Sequence, residues 1–480
     1  MNLRRVAYSL ALVLFVLSGA QLLPLLWIGS SAEAASALGF LVASGITGAG
    51  GVALRLWGNR EGELYRREGV LIVVGSWVLA SLTGAIPYVV SGVLPGPADA
   101  LFESASGFTT TGATVLTDIG SLSHAILFWR SFTQWLGGIG IVVLFVALLS
   151  ELGPGARFLF KLEVPGPKAE VLHARVQDTA LALARIYLTL TAVQIALLLL
   201  TGTGFFDAIT HTFSTVSTGG FSPHPESAAF LSPIAQVIVM LFMLAAGINF
   251  SLYFALVRRG DRRVFRNAEL LLYLGLIGAG TLLIGGGRMF GAEGDFGRVF
   301  FDSAFAVVSI VTSTGFSTED FTAWPTAASA LLVALMVFGG CAGSTAGGAK
   351  IIRALVCWRA ILREVRLTFS PNSVIAISVG GDAVPEASVR SIVALVTLWL
   401  AGWAVGTLLL SIGSPDLLTA ATASIATLSN IGPGLGAVGP AGDYAFFASW
   451  QKGVMVLLMW LGRLEFFAVL ALFQRSFWRR

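Results

Sequence analysis

Four glycine-centred segments recur in register along the chain, and they constrain its fold more than any other feature. Ser106-Gly-Phe-Thr-Thr-Thr-Gly-Ala-Thr114, Ser214-Thr-Val-Ser-Thr-Gly-Gly-Phe-Ser222, Ser309-Ile-Val-Thr-Ser-Thr-Gly-Phe-Ser317 and Ala426-Thr-Leu-Ser-Asn-Ile-Gly-Pro-Gly434 align without gaps. One column is pure glycine: Gly112, Gly220, Gly315 and Gly432. Three positions earlier stands a column of hydroxyls: Thr109, Ser217, Thr312 and Ser429. Hydroxyls and glycine backbone offer oxygens without net charge, and four such loops around one axis make carbonyl rings that can replace the water around a small cation. Carbonyls turned toward an axis often demand positive φ, which glycine adopts freely. A single match of this kind would mean no more than close helix packing. Four in register, each between two apolar runs, point to one repeated element.

The solvent of that element follows from composition. The 480 residues are 56% hydrophobic and 12% charged, against about 45–50% and about 25% in ordinary globular chains. Many apolar runs reach the roughly 20 residues that span a bilayer, so the chain reads as a polytopic membrane protein. The pI near 9.3 does not imply nucleic acid, because the basic residues follow topology instead of forming a patch. Cys341 and Cys357 form no CxxC pair, and His124, His173, His211 and His224 show no metal-ligand spacing. A membrane-embedded enzyme ranks last, since no cluster of His, Cys or paired acids falls inside the spans. Residues 1–30 imitate a signal peptide, but their apolar stretch continues through Trp27. That exceeds the usual 7–15-residue signal core and predicts a retained helix.

Two helices are predicted first, near 6–29 and 35–57, in a segment 1–68. Four units of about 100 residues follow, a duplicated domain and not a solenoid. They are 69–155 (helices 70–92 and 125–149), 156–266 (183–202 and 231–257), 267–370 (268–287 and 327–350) and 371–480 (389–412 and 447–473). The apolar segments before the glycines, such as 208–216 and 303–311, are too short to span. Asp207 and Asp302 read as first-turn acids, and Pro415 and Asp416 open the fourth segment. A half-helix that enters the membrane and returns as loop is tolerated only inside protein or along water. Its carbonyl end carries about half a negative charge, which favours a cation. Basic residues concentrate at Arg4 and Arg5, 55–67, 157–175, 258–266, 353–366 and 475–480, all on one side. The positive-inside rule makes that side cytoplasmic, with both termini inside and the glycine loops opening outward.

Two further features stand out. Gly339-Gly-Cys-Ala-Gly-Ser-Thr-Ala-Gly-Gly-Ala-Lys350 holds too many glycines for a regular helix, each costing about 1 kcal/mol against alanine. It reads either as close packing or as an unwound loop that can plug a pathway. It is not a phosphate-binding loop, because Lys350 is one residue late and Ile351 stands where Ser or Thr belongs. Arg463 lies near the centre of the last apolar run, where a charge is a functional hypothesis by default. Glu465, two positions on, does not share its helix face. Gly434-Leu-Gly-Ala-Val-Gly439 matches GxGxxG, but no strand or βαβ unit surrounds it.

These loops and units resemble the Trk/Ktr/HKT superfamily of potassium transporters, and the two additional N-terminal helices resemble its Trk branch of TrkH-like subunits. The resemblance covers essentially the whole chain. It implies an all-α polytopic membrane fold, four pseudo-repeated helix–half-helix–helix units around one pore, in the bacterial inner membrane. It implies potassium uptake, with the ion held at Thr110, Thr111, Gly112; Thr218, Gly219, Gly220; Ser313, Thr314, Gly315; and Asn430, Ile431, Gly432. Glycine at position 112 implies potassium, since sodium-preferring plant-type members tend to carry serine there. The resemblance makes the glycine-rich segment an intramembrane gating loop, with Gly339, Gly340, Gly343, Gly347, Gly348 and Lys350, and makes Arg463 a pore residue under the filter. It further implies a homodimer, cytosolic nucleotide-binding TrkA-like regulatory subunits, and no cofactor in this chain beyond the transported K⁺. The arginine-rich loops 258–266 and 353–366 are candidate docking surfaces, or simply set topology. A sodium-permeable member of the same fold and a small-solute secondary transporter are the rival expectations.

Overall fold

A long apolar run can cross lipid only with every backbone N–H and C=O paired internally, which for a single segment means helix. The computed structural model describes residues 1–29, 33–61, 64–149, 176–289 and 295–478, and these are mostly helical. Among the described residues six helices are long and apolar enough to cross a membrane, or up to eight if two sharply bent pairs each count as one span. Leu56, Leu200 and Leu408 point outward uncovered, as side chains facing lipid should.

Helices α1 (Leu3–Ala20) and α2 (Ala34–Trp57) pack on each other and on α3 (Arg66–Val90). Ser18 donates to the Ser44 carbonyl across that contact at 2.8 Å. Four helix–half-helix–helix groups follow. The first is α3, the half-helix α4 (Pro97–Phe108) and α5 (His124–Leu149). The second is α6 (Val176–Leu200), α7 (Phe205–Val216) and the pair α8 (Pro233–Ala246) and α9 (Phe250–Arg259). The third is α10 (Ala268–Met289), α11 (Phe296–Val311) and α12 (Thr326–Leu335), after which α13 (Ile351–Phe369) resumes. The fourth is α14 (Glu386–Leu410), α15 (Leu417–Leu428) and the pair α16 (Ser449–Leu464) and α17 (Phe466–Leu472). A short hairpin, β1 (Ser378–Val379) with β2 (Asp382–Ala383), turns through Gly380 and Gly381 at φ 60° and 91° between the third and fourth groups, as a two-residue hairpin turn requires.

The half-helices are arranged cyclically. Each leans on the second helix of the preceding group: α7 on α5, α11 on α8, and α4 on α16 of the last group. For α15 the same contact is made at the end of α12, where Ile425 and Leu428 share a core with Leu332 and Leu335, and Ser429 Oγ donates to the Met336 carbonyl at 2.9 Å.

Several expected boundaries are corrected. Asp302 is not a first-turn acid: α11 starts earlier, capped by Asp295, and Asp302 is buried, paired with Arg298 at 2.8 Å and accepting from Thr318 at 2.7 Å. The expected helix 231–257 bends by 92° after Ala246, and 447–473 bends by 117° after Leu464. The expected helix 327–350 ends at Leu335. The unit boundary at 155/156, the basic segment 157–175 and His173 lie outside the described residues.

Candidate functional site

All four half-helices end in the same way. The N–H before each column glycine donates five residues back: Thr111 to Ser106, Gly219 to Ser214 and Thr314 to Ser309 at 2.8 Å, and Ile431 to Ala426 at 2.9 Å. The preceding N–H reaches three back: Thr110 to Gly107 (2.9 Å), Thr218 to Thr215 (3.0 Å), Ser313 to Ile310 (3.0 Å) and Asn430 to Thr427 (3.3 Å). This is the Schellman closure, which normally places glycine at its left-handed position. Here that position holds Thr110, Thr218, Ser313 and Asn430, at φ 54°, 57°, 55° and 54°. Left-handed backbone costs an ordinary L-residue about 1–2 kcal/mol, and such strain concentrates at functional sites. The column glycines are left-handed as well, with φ 80°, 76°, 85° and 98°, while Thr111, Gly219, Thr314 and Ile431 between them are not. Alternating hand turns successive carbonyls to one side of the chain, whereas a uniform strand would send them to opposite sides. Sequence reasoning anticipated positive φ at the glycines and missed it at the hydroxyl and amide residues before them.

The loops close on one another around a common centre. A Cβ built on Gly112 would fall on the carbonyl oxygen of Gly219, one on Gly220 would fall on that of Thr314, and one on Gly315 on that of Ile431. On Gly432 it would lie 2.7 Å from the carbonyl oxygen of Thr111. The order first, second, third, fourth and back to first is thus complete, each glycine lying against the carbonyl before the next glycine. All four glycines also line one cavity, together with Arg130 and Tyr444. Arg130 is neutralised there by Glu103 at 2.9 Å, both side chains buried, and it stacks on Phe221 at 4.1 Å. The positions named from the resemblance, 110–112, 218–220, 313–315 and 430–432, are therefore brought together. Among the described residues, Gly219 and Gly432 alone of these accept a side-chain hydrogen bond at the carbonyl, from Gln134 (2.6 Å) and Tyr444 (2.7 Å).

The glycine-rich segment lies directly beneath. Between Leu335 and Ile351 the chain is not helical, with Gly339, Gly343, Gly348 and Lys350 all at positive φ. Gly339 and Gly348 meet backbone to backbone and close the neck of the loop. Beside that neck, the Gly347 N–H donates to Ser313 Oγ at 2.5 Å, and a Cβ on Gly347 would strike the Ser429 carbonyl. Thr345 Oγ1 lies 3.0 Å from the Val216 carbonyl, at the end of α7, and 3.2 Å from that of Ala246. A Cβ on Gly340 would meet Ala346, and Lys350 Nζ folds back onto the Ala346 carbonyl.

This loop explains the break between α8 and α9. Cys341 N–H donates to the Gly247 carbonyl and Phe250 N–H to the Gly343 carbonyl, both at 3.0 Å. Backbone groups freed by unwinding are thereby satisfied inside protein, as the lipid environment demands. Asn249 caps the resumed helix by accepting from Ser251 N–H at 2.9 Å.

Arg463 lies in the last turn of α16, just before the second break, and is buried. Its Nη1 donates to the Thr345 carbonyl at 2.7 Å and its Nη2 to the Gly137 carbonyl at 3.4 Å. Gly137 itself abuts the Phe108 carbonyl at the end of α4. Glu465, just past the break at φ 64°, turns away and pairs with Arg353 in the first turn of α13. The separate faces expected of Arg463 and Glu465 are what the structure shows.

Fold and site together define a class: helical polytopic membrane proteins in which four inward-pointing half-helices bring their carbonyl ends to one centre above an unwound intramembrane loop. A family model described as TrkH, cation transport protein, matches residues 44–278 and 292–479, and the chain belongs to that family. The Trk system potassium uptake protein TrkH of Salmonella typhimurium is 37% identical over 496 aligned residues, covering 100% of both chains. The Trk system potassium uptake protein TrkG of Escherichia coli is 35% identical over 422 residues, 87% of this chain and 86% of that one. Among solved structures, the crystal structure of the potassium transporter TrkH from Vibrio parahaemolyticus superposes with a TM-score of 0.88 at 33% identity, covering 100% of both chains.

Proposed function

We propose that this chain carries potassium into the cell across the bacterial inner membrane, both termini cytoplasmic, through a pore whose filter is the four-loop centre. The reading is carried by the cyclic closure of Gly112, Gly220, Gly315 and Gly432, each against the next loop's carbonyl. The relatives' names supply the ion. Uncharged oxygens, oriented by alternating backbone hand and facing four helix C-termini, suit a monovalent cation that must shed water and still leave. The loop 339–350 blocks the path from below, and the Arg463 guanidinium adds a positive charge that opposes cation passage until it moves. No covalent chemistry is involved.

The chain works as a homodimer in the lipid bilayer and takes its regulation from TrkA-like nucleotide-binding subunits in the cytosol, with no nucleic acid partner. Arg262, Arg263 and Arg266 are exposed on the turn after α9 and offer a docking surface. Arg363 in α13 is already engaged with Glu364 and Glu386.

Growth rescue of a potassium-uptake-deficient bacterium in low-potassium medium tests the function. The wild-type chain should restore growth and Gly315→Ser should not. Rubidium uptake suppressed equally by sodium and by potassium would instead indicate the sodium-permeable alternative.

A further inference from the structure

The four loops are not braced alike. In the first, Thr109 and Thr111 join hydroxyl to hydroxyl at 2.7 Å, and in the third Thr312 and Thr314 do so at 2.8 Å. The second loop has Gly219 at the matching position and cannot form that bond. Its brace comes from the neighbouring group. Gln134, fully buried in α5, places Nε2 2.6 Å from the Gly219 carbonyl oxygen and accepts from the Phe221 N–H at 3.0 Å. The carboxamide therefore clamps both sides of Gly220. Its orientation is fixed, because exchanging the oxygen and nitrogen would set donor against donor and acceptor against acceptor. A Cβ on Gly219 would lie 2.6 Å from Gln134 Oε1 and 2.8 Å from Nε2, so glycine here and glutamine there are one fitted pair. The fourth loop, with Ile431, uses another device: Asn430 Nδ2 donates to Thr111 Oγ1 at 2.9 Å and to the Met459 carbonyl at 3.1 Å.

We propose that Gln134 is a positioning residue for ion selectivity. It holds the Gly219 carbonyl at a fixed reach and keeps Gly220 in register with the other three column glycines. Because Gly112 lies directly against that same carbonyl, a shift of the second loop is transmitted to the first. Discrimination between potassium and sodium depends on where such oxygens sit and how strongly they are held. The inference rests on the reading of the loops as an ion filter.

The test is rubidium uptake into proteoliposomes with sodium as competitor, on protein verified as monodisperse. Gln134→Met, which keeps volume and removes both hydrogen bonds, and Gln134→Ala should each lower the rubidium-over-sodium preference by about fivefold, the scale of one lost hydrogen bond. Gly219→Thr added to Gln134→Ala should restore it, since a hydroxyl then stands within the loop as in the first and third. Retained preference in a folded single variant, or a folded double variant without preference, overturns the inference. Gly315→Ser is measured alongside. If it loses preference while the Gln134 variants keep theirs, the Gln134 assignment alone fails. If none of the variants changes preference, the filter reading fails with it.

Discussion

Arg463 Nη1 donates to the carbonyl of Thr345 at 2.7 Å, joining the last group's broken helix to the tip of the glycine-rich loop. Thr345 is itself hydrogen-bonded to the ends of α7 and α8. One guanidinium thus holds the loop up against the loop centre and contributes a positive charge beneath it. A hydrogen bond to a charged group is worth about 1.5–3 kcal/mol. Arg463→Ala should therefore raise rubidium flux on the order of tenfold in proteoliposomes at equal protein amount. Unchanged or lower flux would count against a restraining role.

Thr345→Val keeps the volume and removes the hydroxyl that reaches the Val216 and Ala246 carbonyls. It should also raise flux, by less than Arg463→Ala, because the guanidinium still holds the Thr345 backbone. The rubidium-over-sodium preference should stay at the wild-type value, since residues 110–112, 218–220, 313–315 and 430–432 are untouched. Uptake with and without sodium separates the two effects, and altered preference would show that loop and filter are not separable.

Arg353 is almost fully buried and has Glu465 as its ion-pair partner. Removing one member of a buried pair leaves the other charge uncompensated, a loss of about 3–5 kcal/mol for full burial. Glu465 is about one-fifth exposed, so Glu465→Gln should fall at or below the low end. Thermal unfolding in detergent should show a lower midpoint, and Arg353→Met combined with Glu465→Gln should recover part of it.

What the sequence disclosed follows from what each residue costs. Glycine crowding at 339–348 and an arginine in an apolar run are expensive in a membrane helix, so they announced themselves. The repeated glycine column was legible because a backbone hand that only glycine adopts easily leaves a fixed letter. The left-handed Thr110, Thr218, Ser313 and Asn430 left none, because their strain is imposed by the surrounding fold. The bend after Ala246 was hidden because only Gly247 and Asn249 mark it, and its unwound backbone is satisfied by residues about a hundred positions away. The bend at Leu464 has no proline or glycine immediately at it. Gln134 looked like any polar residue in a span until its partner loop was in view.

Asp416 caps α15, its carboxylate accepting from the Thr419 N–H at 2.7 Å and hydroxyl at 2.8 Å. Those bonds hold its carboxyl below the usual aspartate range. A depressed folded value means the stabilisation is present above the ordinary carboxylate range and is lost as pH falls through the folded value. Asp416→Ala should cost about 1 kcal/mol at neutral pH, the usual worth of such a cap. The difference in unfolding midpoint from wild type should shrink in acid, and a constant difference across pH would contradict the capping role.

The most direct measurement is anomalous diffraction from crystals grown with rubidium or thallium in place of potassium. Peaks on the axis enclosed by Gly112, Gly220, Gly315 and Gly432 and the carbonyls of the residues before them are the expected result. Well-ordered loops with no anomalous density between them, or monovalent cation bound only elsewhere, would contradict it.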